Sequence, residues 1–121
     1  MLHAQVNING KDILNEDELK TALVSKDDLT YITCNKDEKA LEIEFSKKRD
    51  AFIGWVNADT DEIYYFDNGS GNKEPVELLI NVCPEERMMC YDFESVKAII
   101  RYFLETGERS PAYSWIEDAS C

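Results

Sequence analysis

The chain has 121 residues, a hydrophobic fraction of 44% and a formal net charge of −12 at pH 7. This length predicts one domain, residues 1–121, with a core large enough to fold without metals or disulfides. Phosphate backbones and anionic membrane surfaces repel so acidic a chain, which argues against nucleic acids and membranes as partners and favours a basic protein.

The N-terminal part of the chain predicts a strand and a short helix. Residues 2–8 read as a short strand, followed by a turn at Asn9-Gly10. Asn15 is placed to start a helix, and Glu18 is spaced to complete a capping box with it. The N-terminus lacks the pattern of a signal peptide, and no apolar run approaches the roughly 20 residues that span a bilayer, so a cytoplasmic location is expected.

The middle of the chain is rich in strand patterns. Strands are predicted at residues 29–34, 41–45, 51–56, 63–66 and 76–82. Leu41, Ile43 and Phe45 alternate with Glu42 and Glu44, which is typical of a strand with one buried face and one acidic, solvated face. The tract at 67–74 predicts an exposed loop.

The last thirty residues predict one amphipathic helix and a closing aromatic strand. Apolar residues recur at three- and four-residue steps across residues 93–104. Asp92 can cap this helix, Gly107 can end it in the left-handed conformation, and Pro111 blocks its resumption. The whole pattern predicts an α+β fold, an antiparallel sheet of about five or six strands with two helices packed on it.

No residue pattern forms a specific catalytic or metal-binding motif. Asp59, Asp61 and Glu62 lack the spacing of a calcium loop and predict an acidic turn. Trp55 and Trp115 could form a ligand shelf, but both lie in apolar strands, which favours core packing. The four cysteines show neither zinc spacing nor a redox motif. We therefore expect no enzyme activity, no cofactor and no metal.

Two stretches near the C-terminus, Phe103-Leu-Glu-Thr-Gly-Glu-Arg-Ser-Pro111 and Tyr113-Ser-Trp-Ile-Glu117, carry a family resemblance. They resemble the ending of the first-numbered immunity-protein family of bacterial polymorphic-toxin and contact-dependent growth inhibition systems. The resemblance covers roughly residues 30–117, of which the last fifteen are distinctive. The structural markers of the family are Phe103, Gly107, Pro111 and Trp115.

The resemblance implies an immunity protein without catalytic activity, which binds and neutralises a cognate toxin domain. The implied partner is a basic C-terminal toxin domain, a nuclease or deaminase that targets nucleic acid, bound one to one by a chain that is monomeric when free. An acidic inhibitor reaches a basic active-site region quickly because opposite potentials speed association. The residues expected at the toxin interface are Glu42, Glu44, Asp59, Asp61, Glu62, Tyr64, Glu74 and Glu77.

Other functions compete with this hypothesis. A small acidic secretion chaperone would match the chain in size and charge, would dimerise, and would hold an extended effector segment on apolar patches. A small enzyme or ligand-binding domain would need a polar pocket with perturbed titratable groups, for which the sequence offers only scattered carboxylates. The acidic charge is also consistent with a role in solubility alone.

Overall fold

The computed structural model describes residues 4–79 and 83–118. These residues form eight strands, two α-helices and one turn of 3-10 helix, at Glu86–Met88. The strands are β1 (Gln5–Ile8), β2 (Lys11–Ile13), β3 (Tyr31–Lys36), β4 (Lys39–Phe45), β5 (Ala51–Asn57), β6 (Glu62–Asp67), β7 (Met89–Cys90) and β8 (Ser114–Glu117). The helices are α1 (Glu16–Ala22) and α2 (Phe93–Thr106).

The strands form one antiparallel sheet in the order β2-β1-β3-β4-β5-β6-β8, and β7 pairs with the start of β5. Tight turns explain much of this meander. Asn9 and Gly10, with φ of 53° and 90°, form the two-residue turn between β1 and β2, and Asp37, with φ of 55°, lies in the turn between β3 and β4. The predicted α+β class with an antiparallel sheet and two helices is confirmed, but the predicted number of strands is too low.

The errors in the strand prediction have local causes. β2 and β7 are three and two residues long, too short for an alternating pattern to be recognised. The predicted strand at 76–82 is wrong for residues 76–79, where Leu78 makes only an isolated bridge to Ser46. Residues 80–82, and residues 1–3 before β1, lie outside the described part.

Both helices pack on the same face of the sheet. Leu19 of α1 and Leu23, which directly follows α1, belong to one buried cluster with the apolar face of α2 and with alternate residues of the strands. The strand residues in this cluster include Ile32, Cys34, Leu41, Ile43, Phe45, Ile53 and Trp55. Arg101 of α2 also contacts Glu16 of α1 at 2.5 Å. Burial of each large apolar side chain contributes roughly 1.5–3 kcal/mol, so this face holds most of the fold's stability.

The predicted N-caps of both helices and the predicted end of α2 at Gly107 are confirmed, with one shift at α1, which ends at Ala22 and not near Lys26 as the sequence predicted. The side chain of Asp92 accepts the N–H of Glu94, and Gly107, with φ of 74°, ends α2. At α1 the side chain of Asn15 accepts the N–H of Glu18 at 2.9 Å. The carboxylate of Glu18 accepts the N–H of Leu14 at 3.2 Å, one residue before the N-cap, so the reciprocal bond of the capping box is displaced by one residue.

Candidate protein-interaction face

The face of the sheet opposite the helices carries an apolar and acidic surface, which we call the open face. It forms a shallow depression of about 340 Å³. Its residues are Glu42, Glu44, Phe52, Gly54, Val56, Ile63 and Tyr65. An antiparallel sheet with one covered face usually presents polar residues on the other. The half-buried side chains of Phe52, Val56 and Ile63 depart from that rule and need an explanation.

The open face arises because β5 and β6 are apolar at nearly every position. Successive side chains of a strand point to opposite faces, so such strands place apolar residues on both. In β5, Ile53 and Trp55 enter the buried core, while Phe52 and Val56 lie on the open face. This pattern is the sequence signal that could have indicated the open face, but Phe52, Gly54, Val56 and Ile63 were not predicted as interface residues.

Two aromatic rings form the centre of the open face, and we call them the aromatic platform. Tyr65 pairs across the strands with Gly54, and two carbons of its ring lie 3.4 Å from the position that a Cβ would take on Gly54. The ring of Phe52 stacks on that of Tyr65, with centroids 5.1 Å apart and planes at 25°. The hydroxyl of Tyr65 also donates to Asp118 at 3.4 Å. The platform is therefore held in place by its own neighbours.

Two carboxylates border the aromatic platform. Glu44 pairs across the strands with Phe52, and Glu42 pairs with Gly54. The Oε2 atom of Glu44 is buried and accepts no hydrogen bond from any residue in the described ranges. Burial raises the pKa of the Glu44 carboxyl, and the negative charge of Glu42 raises it further. A buried carboxylate oxygen without a donor destabilises the free protein, and a partner that brings a donor would remove this cost.

The acidic turn between β5 and β6 lies at one end of the open face. Asp59 and Asp61 are exposed there, and Asp61 adopts a left-handed φ of 59°. Glu62, the first residue of β6, accepts the hydroxyl of Thr60 at 2.8 Å. Val56 and Ile63 are the open-face residues nearest to this turn. Asp59 and Asp61 therefore form a charged rim at that end of the open face.

Glu74 and Glu77 lie apart from this group. Both are exposed in the segment that precedes the 3-10 turn. Glu77 borders a separate depression of about 290 Å³, together with Lys47, Lys48 and Tyr91. The structure therefore does not bring Glu74 and Glu77 together with Glu42 and Glu44 into one surface.

Tyr64 lies on the helix side of the sheet. It pairs with Trp55, and the guanidinium of Arg109 lies 3.4 Å from the centroid of the Tyr64 ring and 4.8 Å from that of Trp55. The indole N–H of Trp55 donates to the carbonyl of Gly107 at 3.0 Å. The chain's own C-terminal segment therefore covers Tyr64, and its neighbour Tyr65 is the tyrosine on the open face.

The four predicted family markers have architectural positions. Phe103 is buried on α2, Gly107 ends that helix, and Pro111 is exposed in the turn before β8. Trp115 is half-buried, with its ring edge-on to Phe66 at 6.2 Å and its N–H donated to the carbonyl of Ser110 at 3.0 Å. Core packing of both tryptophans is thus confirmed fully for Trp55 and partly for Trp115.

Comparisons of this chain with models of known protein families, with curated proteins and with solved structures gave no match. Within residues 4–79 and 83–118, neither helix has the length and apolarity needed to cross a membrane. Among the same residues, no three or more His, Cys, Asp or Glu side chains are grouped so that they could hold a metal ion. The open face and the resemblance of residues 103–117 are therefore the two features of this chain that bear on its function.

Proposed function

We propose that this protein is an immunity protein, a non-catalytic inhibitor that binds and neutralises a bacterial toxin domain in the cytoplasm. The observation that carries the proposal is the open face, where apolar side chains and carboxylates share a surface of the sheet that neither helix of the described residues covers. The resemblance of residues 103–117 to an immunity-protein family supports the choice of a toxin as partner.

The composition of the open face suits a protein partner. Aromatic residues are enriched at the centres of protein interfaces, where they bury large rigid areas at a low cost in entropy. Phe52 and Tyr65 have that central position, and Val56 and Ile63 extend the apolar area toward the acidic turn. A surface of this kind gains stability when a complementary surface covers it.

The charge of the chain suits a basic partner. A toxin that acts on DNA or RNA needs a positive surface to hold phosphates. The net charge of −12 attracts such a surface over a long range, and Glu42 and Glu44 focus the attraction on the open face. Fast capture has value for an inhibitor because each free toxin molecule damages the cell that makes it.

The test is co-expression of this chain with the toxin domain encoded immediately upstream of its gene. We expect restored growth and a stable one-to-one complex. Absence of both rescue and binding would contradict the proposal. A dimer of this chain that binds only an extended N-terminal segment of the upstream protein would instead indicate a secretion chaperone.

Association kinetics then locate the interface. Charge reversal at Asp59 and Asp61, on the rim, should slow association by several-fold at low salt and leave dissociation almost unchanged. Charge reversal at Glu42 and Glu44 should also speed dissociation, because these carboxylates would be covered in the complex. Equal kinetics for all four variants and the wild type would place the toxin elsewhere on the protein.

A further inference from the structure

We propose that the open face receives an arginine side chain of the partner, with its guanidinium stacked on the aromatic platform and paired with the carboxylate of Glu44. The inference rests on the proposed function for the identity of the partner, and on the geometry of the open face for the chemistry of recognition.

The environment of the Glu44 carboxylate favours a positively charged hydrogen-bond donor. Its Oε2 is buried and accepts no hydrogen bond within the described part of the chain, although the residue itself is only partly buried. The neighbouring Glu42 adds negative charge on the same face. A cation that donates to the carboxylate would relieve the repulsion between the two glutamates, and a rotation of the Glu44 side chain on binding would bring the buried oxygen within its reach.

The aromatic platform favours a cation that is planar. The rings of Phe52 and Tyr65 lie nearly parallel, and both are only half-buried on the open face. A guanidinium is planar, stacks on aromatic faces and donates along its edge to a carboxylate at the same time. A lysine ammonium is compact and strongly hydrated, so it can pair with Glu44 but gains less from the rings.

The same chain shows this mode of binding on its other face. There the guanidinium of Arg109 covers the cross-strand pair of Tyr64 and Trp55, at 3.4 and 4.8 Å from the ring centroids. Two neighbouring residues of β6, Tyr64 and Tyr65, thus contribute aromatic rings to opposite faces of the sheet. These two strands therefore accommodate an arginine over an aromatic pair on the helix side, while the pair on the open face is diagonal, because Tyr65 pairs with Gly54 and stacks on Phe52.

A peptide experiment tests the chemistry without the toxin. The probe is N-acetyl-Gly-Arg-Gly-amide, and the controls are the same peptide with citrulline or lysine in place of arginine. We expect amide NMR shifts confined to the open face, around Glu44, Gly54 and Tyr65, that are largest with arginine and nearly absent with neutral citrulline. Equal shifts from arginine and citrulline, or shifts spread over the whole acidic surface, would overturn the inference.

Variants of this chain connect the peptide to the toxin. Glu44→Gln and Phe52→Leu should each weaken the arginine-peptide shifts and lower toxin affinity at least about tenfold. Glu105→Gln and Tyr91→Leu, at exposed positions outside the open face, are the matched controls and should change affinity by less than about twofold. Far-ultraviolet circular dichroism confirms that each variant is folded.

The outcomes separate the two proposals. Toxin binding that Glu44→Gln and Phe52→Leu leave unchanged would overturn the arginine inference and keep the immunity function. Arginine-selective shifts on the open face without toxin binding would overturn the immunity function and keep the recognition chemistry. On the partner, replacement of the critical arginine by alanine should weaken binding to the wild type, and its loss combined with that of Glu44→Gln should be smaller than the sum of the two single losses, since both changes remove the same pair.

Discussion

The ring of Tyr65 lies against the backbone of Gly54, with two ring carbons 3.4 Å from the position of the missing Cβ. This contact lets the ring lie flat over β5 and reach Phe52, 5.1 Å away between centroids. Gly54 does not have a left-handed φ, so a side chain at this position would be limited by the tyrosine ring and not by the backbone. A methyl group at residue 54 would make only ordinary contact with the ring, so a side chain larger than that of alanine is needed to displace it.

Replacement of Gly54 by valine should separate stability from binding. Valine suits a strand, so we expect the protein to stay folded, with a change in the free energy of unfolding within about 1 kcal/mol. Its side chain should displace the Tyr65 ring and weaken both the arginine-peptide shifts and toxin binding. Side-chain NMR of Tyr65 and calorimetric binding measure the two effects, and an unmoved ring with unchanged affinity would contradict this role of Gly54.

Replacement of Glu44 by glutamine should stabilise the free protein at neutral pH, by up to about 1 kcal/mol. The pKa of Glu44 is raised in the folded state by burial and by Glu42, so the folded state holds the proton more tightly than the unfolded state. Ionisation of Glu44 consequently costs stability, and this cost grows as pH rises from the usual carboxyl pKa through the raised one.

Urea unfolding of the wild type and Glu44→Gln across the acidic pH range measures how the stabilisation by this substitution changes with pH. The stabilising effect should be largest near pH 7 and should vanish below about pH 4, where the wild-type carboxyl is protonated in both states. Glu105→Gln, at an exposed site on α2, is the control for removal of a charge. A stabilisation that is largest at low pH would contradict the interpretation.

Replacement of Trp55 by phenylalanine should lower the free energy of unfolding by about 2 kcal/mol. The change removes the hydrogen bond from the indole to the carbonyl of Gly107 and leaves space in the core, where Trp55 is 2% exposed. Trp115→Phe is the matched control, since it also loses an indole hydrogen bond, to Ser110, at a half-buried edge. We expect roughly half the loss there. If chemical denaturation gives the two variants equal losses in the free energy of unfolding, the depth of burial does not determine the loss.

Replacement of Gly107 by alanine should destabilise the protein by about 1–2 kcal/mol. Alanine is strained at a φ of 74°, and its Cβ would lie 3.4 Å from the side chain of Lys36. Lys36 donates to the carbonyl of Leu104 at 3.2 Å, and its contact with the new Cβ would be an ordinary one, so the expected loss comes mainly from the backbone conformation.

Gly69→Ala is the control for the effect at Gly107. Gly69 has a similar φ of 83°, but no heavy atom in the described residues lies within 4 Å of the position of its Cβ. The difference in melting temperature between the two variants isolates the contact with Lys36. A Gly69→Ala variant that is as unstable as Gly107→Ala would show that backbone strain alone explains the loss.

The amino-acid sequence by itself determined the elements that depend on neighbours along the chain. The apolar period of α2, its cap at Asp92 and its end at Gly107 involve residues within a few positions of one another, and the structure confirms them. The alternation of Leu41, Ile43 and Phe45 with the two glutamates likewise fixed the buried side of β4. Even the short α1 was identifiable, because Asn15 caps its own first turn.

The tertiary structure alone decided which surfaces are covered. Tyr64 and Tyr65 are adjacent and chemically identical in the sequence, and only the pairing of β5 with β6 and the position of α2 place one under Arg109 and the other on the open face. The strand β7 also depends on a distant partner, β5, that supplies its hydrogen bonds. A one-residue change in strand register would exchange the two faces, so face assignment is a long-range property that local patterns do not contain.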